Sequence, residues 1–267
     1  MIKKIIKKML ISLAILLAVL TIAVFIFMQQ PQFGKLPSGE RLERIKKSPN
    51  YRDGAFQNLH ETPALTEGAS YFGVLKEFLF NQNERKKPTA NLPSVKTDLA
   101  KLPADSNFLI WFGHSSYYMQ LDGKKFLVDP VFSGSASPLP GGTKAFMGTD
   151  IYKVEDFPAI DFLLITHDHW DHLDYKTIKA LKSKTSKVVC ALGVGEHLEY
   201  WGYDNKTIIE KDWYDSIDLA PGFKITLTPG RHFAGRTFKR NTSLWTSFVL
   251  KTPTQNIFLG GDSGYDT

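Results

Sequence analysis

The stretch Ile160-Asp-Phe-Leu-Leu-Ile-Thr-His-Asp-His-Trp-Asp-His172 decides how this chain folds and what chemistry it can carry. Residues 160–166 form a nearly continuous apolar run, the pattern of a strand covered on both faces. The six that follow place His167, His169, Asp171 and His172 in one short turn. Burying three imidazoles and two carboxylates at the mouth of a core strand is costly unless a partner neutralises and satisfies them. A divalent metal is such a partner. At a strand end, the alternate residues His167 and His169 point toward one ion, and the turn after them carries Asp171 and His172 toward another. Imidazole nitrogen combined with carboxylate oxygen suits Zn2+ or a related first-row ion.

On either side lie short apolar runs punctuated by turns. Residues 108–112, 116–121 and 125–128 read as strands, the last two joined by the hairpin signal Asp122-Gly123. Downstream, 187–192, 223–228, 245–251 and 256–260 are further strands. Asp174 can cap a helix reaching Leu181, with Ile178 and Leu181 facing inward, and 195–202 reads as a second short helix. Strands alternating with helices and hairpins predict an α/β sandwich. Two of these strands end in further ligand types, His232 after 223–228 and Asp262 after 256–260.

The formal charge is +6, from 33 Lys+Arg against 27 Asp+Glu in 267 residues. Lys3, Lys4, Lys7 and Lys8 supply most of that excess, so the rest of the chain is nearly neutral and a nucleic-acid partner is not expected. Residues 9–28 carry no charge and are long enough to cross a hydrocarbon core of about 30 Å as a helix. The run exceeds the roughly 7–15 apolar residues of a secretory signal and exits through Phe25-Ile-Phe-Met-Gln-Gln-Pro31, so an uncleaved anchor is expected. The lysines orient its N-terminus to the cytoplasm and the domain to the extracytoplasmic side of a single-pass membrane protein. Cys190, the one cysteine, excludes an intramolecular disulfide, a multi-cysteine zinc site and an iron–sulfur cluster.

The expected organisation is a basic prefix (1–8), a membrane anchor (9–28), a Pro-punctuated spacer and irregular arm (29–107), and the main domain (108–267). Within the arm, Tyr71-Phe-Gly-Val-Leu-Lys-Glu-Phe-Leu-Phe80 has helical spacing and is expected to pack on the main domain as a strap.

The H-x-H-x-D-H motif, the later lone His232 and Gly260-Gly-Asp-Ser-Gly-Tyr265 together resemble the metallo-β-lactamase-fold hydrolase superfamily. Trp111-Phe-Gly-His-Ser-Ser116, Val128-Asp-Pro-Val-Phe-Ser133, Thr228-Pro-Gly-Arg-His-Phe-Ala-Gly-Arg236 and Leu244-Trp-Thr-Ser-Phe-Val249 are similar to the branch containing N-acylphosphatidylethanolamine-hydrolysing phospholipase D. The resemblance covers about residues 33–267. It implies an αββα sandwich in which His167, His169 and His232 hold one zinc, Asp171 and His172 hold a second, and Asp262 bridges the pair. It further implies that Asp171 orients the attacking water. Two such ions, about 3.5–4 Å apart, activate a water and stabilise attacking and leaving oxygens in phosphoester hydrolysis.

Other residues have less certain work. Asp129, at a strand end, is placed either to accept a ligand imidazole N–H or simply to form the turn before Pro130. Arg231, Arg236, Lys239 and Arg240 crowd the loop around His232, where Arg236 in particular could meet a phosphate or lie behind the ligands. His114 reads as a core or loop histidine, and His197 as a surface residue on a helix. The family takes a last histidine for the second metal from its C-terminal half, and the chain reaches Thr267 five residues after Asp262. The expectation is therefore one complete site, a second site short of a ligand, and an incomplete second half with exposed apolar faces, which a dimer mate or completing chain would cover. The functional expectation is a membrane-anchored zinc phosphodiesterase for lipids of the N-acylphosphatidylethanolamine kind. The alternatives are a lactone or ester hydrolase and an inactive or partner-requiring tethered fragment.

Overall fold

The computed structural model describes residues 2–81, 86–139 and 141–265. Residue 1 of the expected prefix, 82–85 of the arm, and 140 and 266–267 of the main domain lie outside the described residues. Helix α1 (Ile2–Met28) is long and apolar enough to cross a membrane and buries none of its residues against the rest of the chain. A helix apolar on all sides needs an apolar surrounding to be stable.

The arm contributes helix α2 (Gly39–Ile45), the two-residue strands β1 (Tyr51–Arg52) and β2 (Ala55–Phe56), and helix α3 (Tyr71–Phe80). After it, β3 (Phe108–Gly113), β4 (Ser116–Leu121), β5 (Lys124–Val128), β6 (Ile160–Ile165), β7 (Thr185–Ala191) and β8 (Ile208–Lys211) form one six-stranded sheet in sequential order. The first three strands pair antiparallel and the last four parallel. Asp122 and Gly123 both take positive φ (47° and 79°), the left-handed pair that lets a two-residue turn follow strand twist. Helices α4 (Tyr175–Leu181) and α5 (Val194–Tyr200) carry the chain between the parallel strands. Strands β9 (Ser216–Ala220), β10 (Phe223–Thr228), β11 (Ser247–Lys251) and β12 (Asn256–Leu259) form a second, antiparallel sheet in the order β12-β11-β10-β9.

The two sheets face each other. Met119, Phe126, Phe162 and Leu164 of the first join Phe223, Ile225, Leu227, Phe248 and Leu250 of the second in one buried cluster. Along β10 the buried residues alternate with Lys224 and the half-buried threonines, the period-two pattern of a sheet with one wet face. On its other face, the first sheet packs Tyr118, Leu127, Leu163 and Ile165 against Ile178 and Leu181 of α4 and Leu198 of α5. The layers are thus helices, sheet, sheet. The first sheet covers the inner face of the second, while Val249 and Phe258, paired on its outer face, stay exposed.

The arm also departs from expectation. Ile45 and Phe56 are fully buried in the inter-sheet core, so this part of residues 29–107 is a structural element of the domain and not a spacer. An ion-pair cluster locks it in place. Arg41 donates to Glu210 (2.7 Å), Glu196 (2.7 Å) and Glu199 (2.9 Å), and Glu210 in turn accepts from the backbone N–H of Gly193 and Gly195. The helix over Tyr71–Phe80 forms as its spacing predicts, but none of its residues is buried, so it is not a strap on the domain. Tyr71, Val74, Leu75, Phe78 and Leu79 fall on one side of this helix, opposite Lys76 and Glu77, and all five are exposed.

Truncating Phe56 to alanine is expected to destabilise the detergent-solubilised full chain by about 3–5 kcal/mol, as for any fully buried phenylalanine. Phe72→Ala, on the exposed α3, is expected to change stability by less than about 0.5 kcal/mol. Denaturant unfolding compares the two, and equal effects would place the arm outside the core.

Candidate metal centre

Strand β6 delivers the ligand loop to the edge of the sandwich. Thr166 follows it and is clamped by Asp129, which accepts from the Thr166 N–H (2.8 Å) and hydroxyl (2.6 Å). The chain then turns tightly, the N–H groups of His172 and Leu173 both donating to the carbonyl of His169.

Two donor sets converge here, each with its atoms within 4.8 Å of one another. The first comprises His167, His169 and His232. His169 Nδ1 lies 2.9 Å from His167 Nε2 and 3.1 Å from His232 Nε2, so three imidazole nitrogens share one small volume with no carboxylate among them. Burial and the neighbouring imidazoles hold all three rings below the usual histidine range, with His232 at about 4. Neutral imidazoles with convergent lone pairs are the donor chemistry a first-row cation takes.

The second set comprises His114, Asp171, His172 and Asp262. His114 Nε2 lies 3.0 Å from Asp171 Oδ2 and 3.2 Å from His172 Nε2, and Asp262 Oδ2 is 3.1 Å from His172 Nε2. Burial opposes charge on His172, but Asp129 and Asp262 outweigh it and push the imidazole up to about 10. Burial opposes charge on Asp171 too, yet the His114 hydrogen bond and the His172 charge bring it down to about 2. The His172 hydrogen bond lowers Asp262. The two carboxylates of this set hold positive charge on its imidazoles, a charge that a bound cation would supply in place of the protons. The rings of His167 and His172, one from each set, have centroids 4.0 Å apart, so the two positions adjoin.

The residues behind the ligands are as specific as the ligands. His172 Nδ1 contacts Asp129 Oδ2 at 2.8 Å in a fully buried pair, which aims Nε2 at the donor set. Asp129 itself sits at a positive φ (41°), so it makes the turn as well. The arm's Asn58 grips the His232 backbone from both sides, its Oδ1 accepting from the His232 N–H (3.1 Å) and its Nδ2 donating to the carbonyl (2.9 Å). No sequence pattern marks Asn58.

Three residues find their places here, and only the surface reading of His197 is corrected. His114 is the loop histidine of its two expected readings. It sits in the β3–β4 turn at a positive φ (47°), half exposed, and supplies the imidazole that the second set was expected to lack. The signal available was its place immediately after an apolar strand, the same relation that singles out His232 and Asp262. His197 is buried, with Nε2 3.2 Å from Asp168 Oδ2, because α5 packs over the ligand loop. Of its two expected places, Arg236 takes the one behind the ligands. It is buried, stacks 3.9 Å over the Trp170 ring, and donates to the carbonyls of Asp168 (2.8 Å), Leu173 (2.7 Å) and Gln32. Burial lowers its guanidinium to about 10. Asp168 also turns away from the donors and accepts from Gly235 N–H (2.6 Å) and Ser243 Oγ (2.7 Å). Burial opposes its charge, but His197, Ser243 and Arg236 hold the carboxyl well below the usual range.

The other loop cations divide. Arg231 donates to Thr62, to the carbonyl of Glu61 and to the carbonyl of Tyr265. Lys239 and Arg240 are exposed, and Arg240 lies 5.1 Å over the ring of Phe233, which meets His169 edge-on at 4.5 Å.

A family model described as the beta-lactamase superfamily domain matches residues 124–267, more than half of the chain. An uncharacterized protein of Mycobacterium tuberculosis is 34% identical over 221 residues, which are 82% of this chain and 59% of that protein. A Caenorhabditis elegans protein named N-acyl-phosphatidylethanolamine-hydrolyzing phospholipase D 1 is 29% identical over 174 residues, 59% of this chain and 47% of its own length. Among solved structures, a metallo hydrolase from Ignicoccus hospitalis superposes with a TM-score of 0.46 at 21% identity, over 60% of this chain and 62% of that one. The chain spans less than two thirds of the length of these relatives. With its donor sets at the sheet ends and the family model extending over residues 124–267, the chain belongs to the β-lactamase superfamily.

Proposed function

We propose that the chain is a membrane-anchored hydrolase with two zinc ions, acting on phosphodiester bonds of lipids of the N-acylphosphatidylethanolamine kind. The observation that carries this reading is the adjacency of the two donor sets, joined at His167 and His172. When bound, the metal ions would polarise the phosphoester and make a water nucleophilic at neutral pH. His167, His169 and His232 are the residues to hold the first ion, and His114, Asp171, His172 and Asp262 the second. Asp171 stays ionised and is only part-buried, so it can orient the incoming water by accepting its hydrogen bond. The exposed Arg240, over the ring of Phe233 that meets His169, can meet the phosphate charge.

Lipid substrates are supported by two further features. Helix α1 keeps the domain beside a bilayer, and the nematode relative carries the name of a phospholipase that hydrolyses such lipids. Its Lys3, Lys4, Lys7 and Lys8 favour a cytoplasmic N-terminus, with the hydrolase on the far side. An alkaline phosphatase fusion after residue 40 is expected to be active, and an inactive fusion with a good expression level would reverse that topology.

Elemental analysis of the purified full chain is expected to find two zinc ions. His114→Ala should lower the content toward one, whereas a wild-type content of one would return the second set to the ligand-deficient state expected from sequence. In detergent–lipid micelles, release of the headgroup from N-acylphosphatidylethanolamine is expected to fall by at least about 100-fold in His169→Ala, beyond the loss typical for a residue merely supporting a ligand. Chelation should abolish turnover and added zinc restore it. Turnover that survives both changes would end the metal-hydrolase reading, and turnover of lactones alone would replace the substrate.

A further inference from the structure

We infer that residues 31–35, which directly follow the membrane helix, are a positioning element of the metal centre. They set the ligand loop 167–173 through two struts, Arg236 and the His197–Asp168 pair. The inference rests on the metal-site reading above and adds a partner for the loop that lies far away in sequence.

The loop carries four of the proposed ligands and pairs with no strand, so its position must come from contacts behind it. The first strut is Arg236. Its Nη1 donates to the carbonyls of Asp168 (2.8 Å) and Leu173 (2.7 Å), one near each end of the loop. Its Nε and Nη2 both donate to the carbonyl of Gln32 (3.1 and 2.9 Å). One planar guanidinium thus ties the juxtamembrane segment to the loop, a geometry that a lysine ammonium cannot reproduce. Between the two contacts it covers Trp170, the residue separating His169 from Asp171. Phe33 meets the same indole edge-on at 5.2 Å, and Phe27, in the last turn of α1, meets Phe33 at 5.3 Å. A continuous row of rings runs from the end of the membrane helix to the ligand loop.

The second strut passes through His197. The N–H of Lys35 donates to His197 Nδ1 (3.0 Å), which leaves the proton on Nε2, 3.2 Å from Asp168 Oδ2. The residue before Lys35 is Gly34, at φ 74° and ψ −154°. A Cβ at this position would lie 2.0 Å from His197 Nδ1, so glycine is required both by backbone conformation and by the approach to the imidazole. Pro31 completes the attachment by accepting from Trp201 Nε1 at 2.8 Å. Contacts of this kind orient ligands, and their loss typically weakens metal affinity by about 10–100-fold. The end of α1 and the ligand loop are consequently linked through residues 31–35.

The test uses the full chain in nanodiscs, with zinc affinity read by competition against a chromophoric chelator and ligand geometry by the absorption of the cobalt-substituted protein. Gly34→Ala, which drives a methyl group into His197, is expected to weaken zinc binding by about tenfold or more and to alter the cobalt bands. Gly39→Ala is the matched control, since Gly39 also has a positive φ (53°) but a Cβ there meets nothing within 4 Å. It is expected to bind zinc as the wild type does. Arg236→Lys keeps the charge but loses the fork, is expected to reproduce the Gly34→Ala effect, and decides the matter if Gly34→Ala does not fold. Unchanged affinity and spectrum in Gly34→Ala and Arg236→Lys would overturn the inference while leaving the metal site standing, as would an equal loss in Gly39→Ala. A wild-type chain that binds no zinc would overturn both.

Discussion

Three imidazole nitrogens, one of them within hydrogen-bond distance of the other two and no carboxylate between them, are the constraint on which this structure turns. His169 Nδ1 faces both His167 Nε2 and His232 Nε2, and one proton cannot satisfy the three. Protonating the rings instead would charge groups taken out of water and set like charges side by side, and burial first, then the neighbouring imidazoles, hold all three below the ordinary histidine range. A cation resolves the conflict, and the second set is built to complement it, with Asp171 and Asp262 supplying the charge the first set lacks. The surrounding fold exists to hold these groups in an arrangement that they would not adopt on their own.

The way the fold does so explains what could be read from the sequence. The local pattern around β6 was legible because a buried parallel strand reads as an apolar run, and a run that breaks into H-x-H-x-D-H has few physical explanations. His232 and Asp262 were legible for a related reason, as ligand types directly after apolar strands. His114 satisfies the same condition after β3 but was read as a bystander, since its neighbours in sequence, Gly113 and Ser115, carry no ligand chemistry. Only the register of β3 against β4 turns its ring to Asp171 and His172. Arg236 is ambiguous in sequence for a different reason. A basic residue near a metal motif suggests a phosphate contact, whereas backbone carbonyls left without partners by a tight loop are an equally good reason for a guanidinium, and a sequence does not display them. The arm was the least legible part, because Ile45, Phe56 and Asn58 act over separations of well over a hundred residues and carry no periodicity.

The arm also accounts for how the site can stand at the edge of the sandwich. The loop follows a central strand, where the paired backbone ends and the chain must find other partners. Here Asp168, Arg236 and the ligand types His167 and His172 are buried, while His114, His169, Asp171, His232 and Asp262 are partly or largely open to solvent. The Arg41 cluster is costly to assemble, since it takes several charges from water, and it is stable only because Glu210 and Glu196 divide the guanidinium between them while Glu210 also caps Gly193 and Gly195. That cluster holds α2 against α5, and α5 carries His197.

Backbone strain is distributed in the same way. Among the described residues, six other than glycine take a positive φ, and two of these, His114 and Asp129, adjoin the second donor set. Such conformations cost of order 1–3 kcal/mol for a residue like histidine and persist only where the surroundings over-determine them. Asp129 is over-determined by its three hydrogen bonds to Thr166 and His172. His114 has less behind it. The Trp111 indole donates to its carbonyl at 2.8 Å, and its ring is held only by other members of the donor set. The second set therefore contains one ligand whose place depends on the set being filled, while the first set is braced from behind at His232 by Asn58 and through the loop by Arg236. The two sets thus differ in their support, the first being braced by residues outside it and the second keeping a positive-φ histidine whose ring contacts are members of its own set.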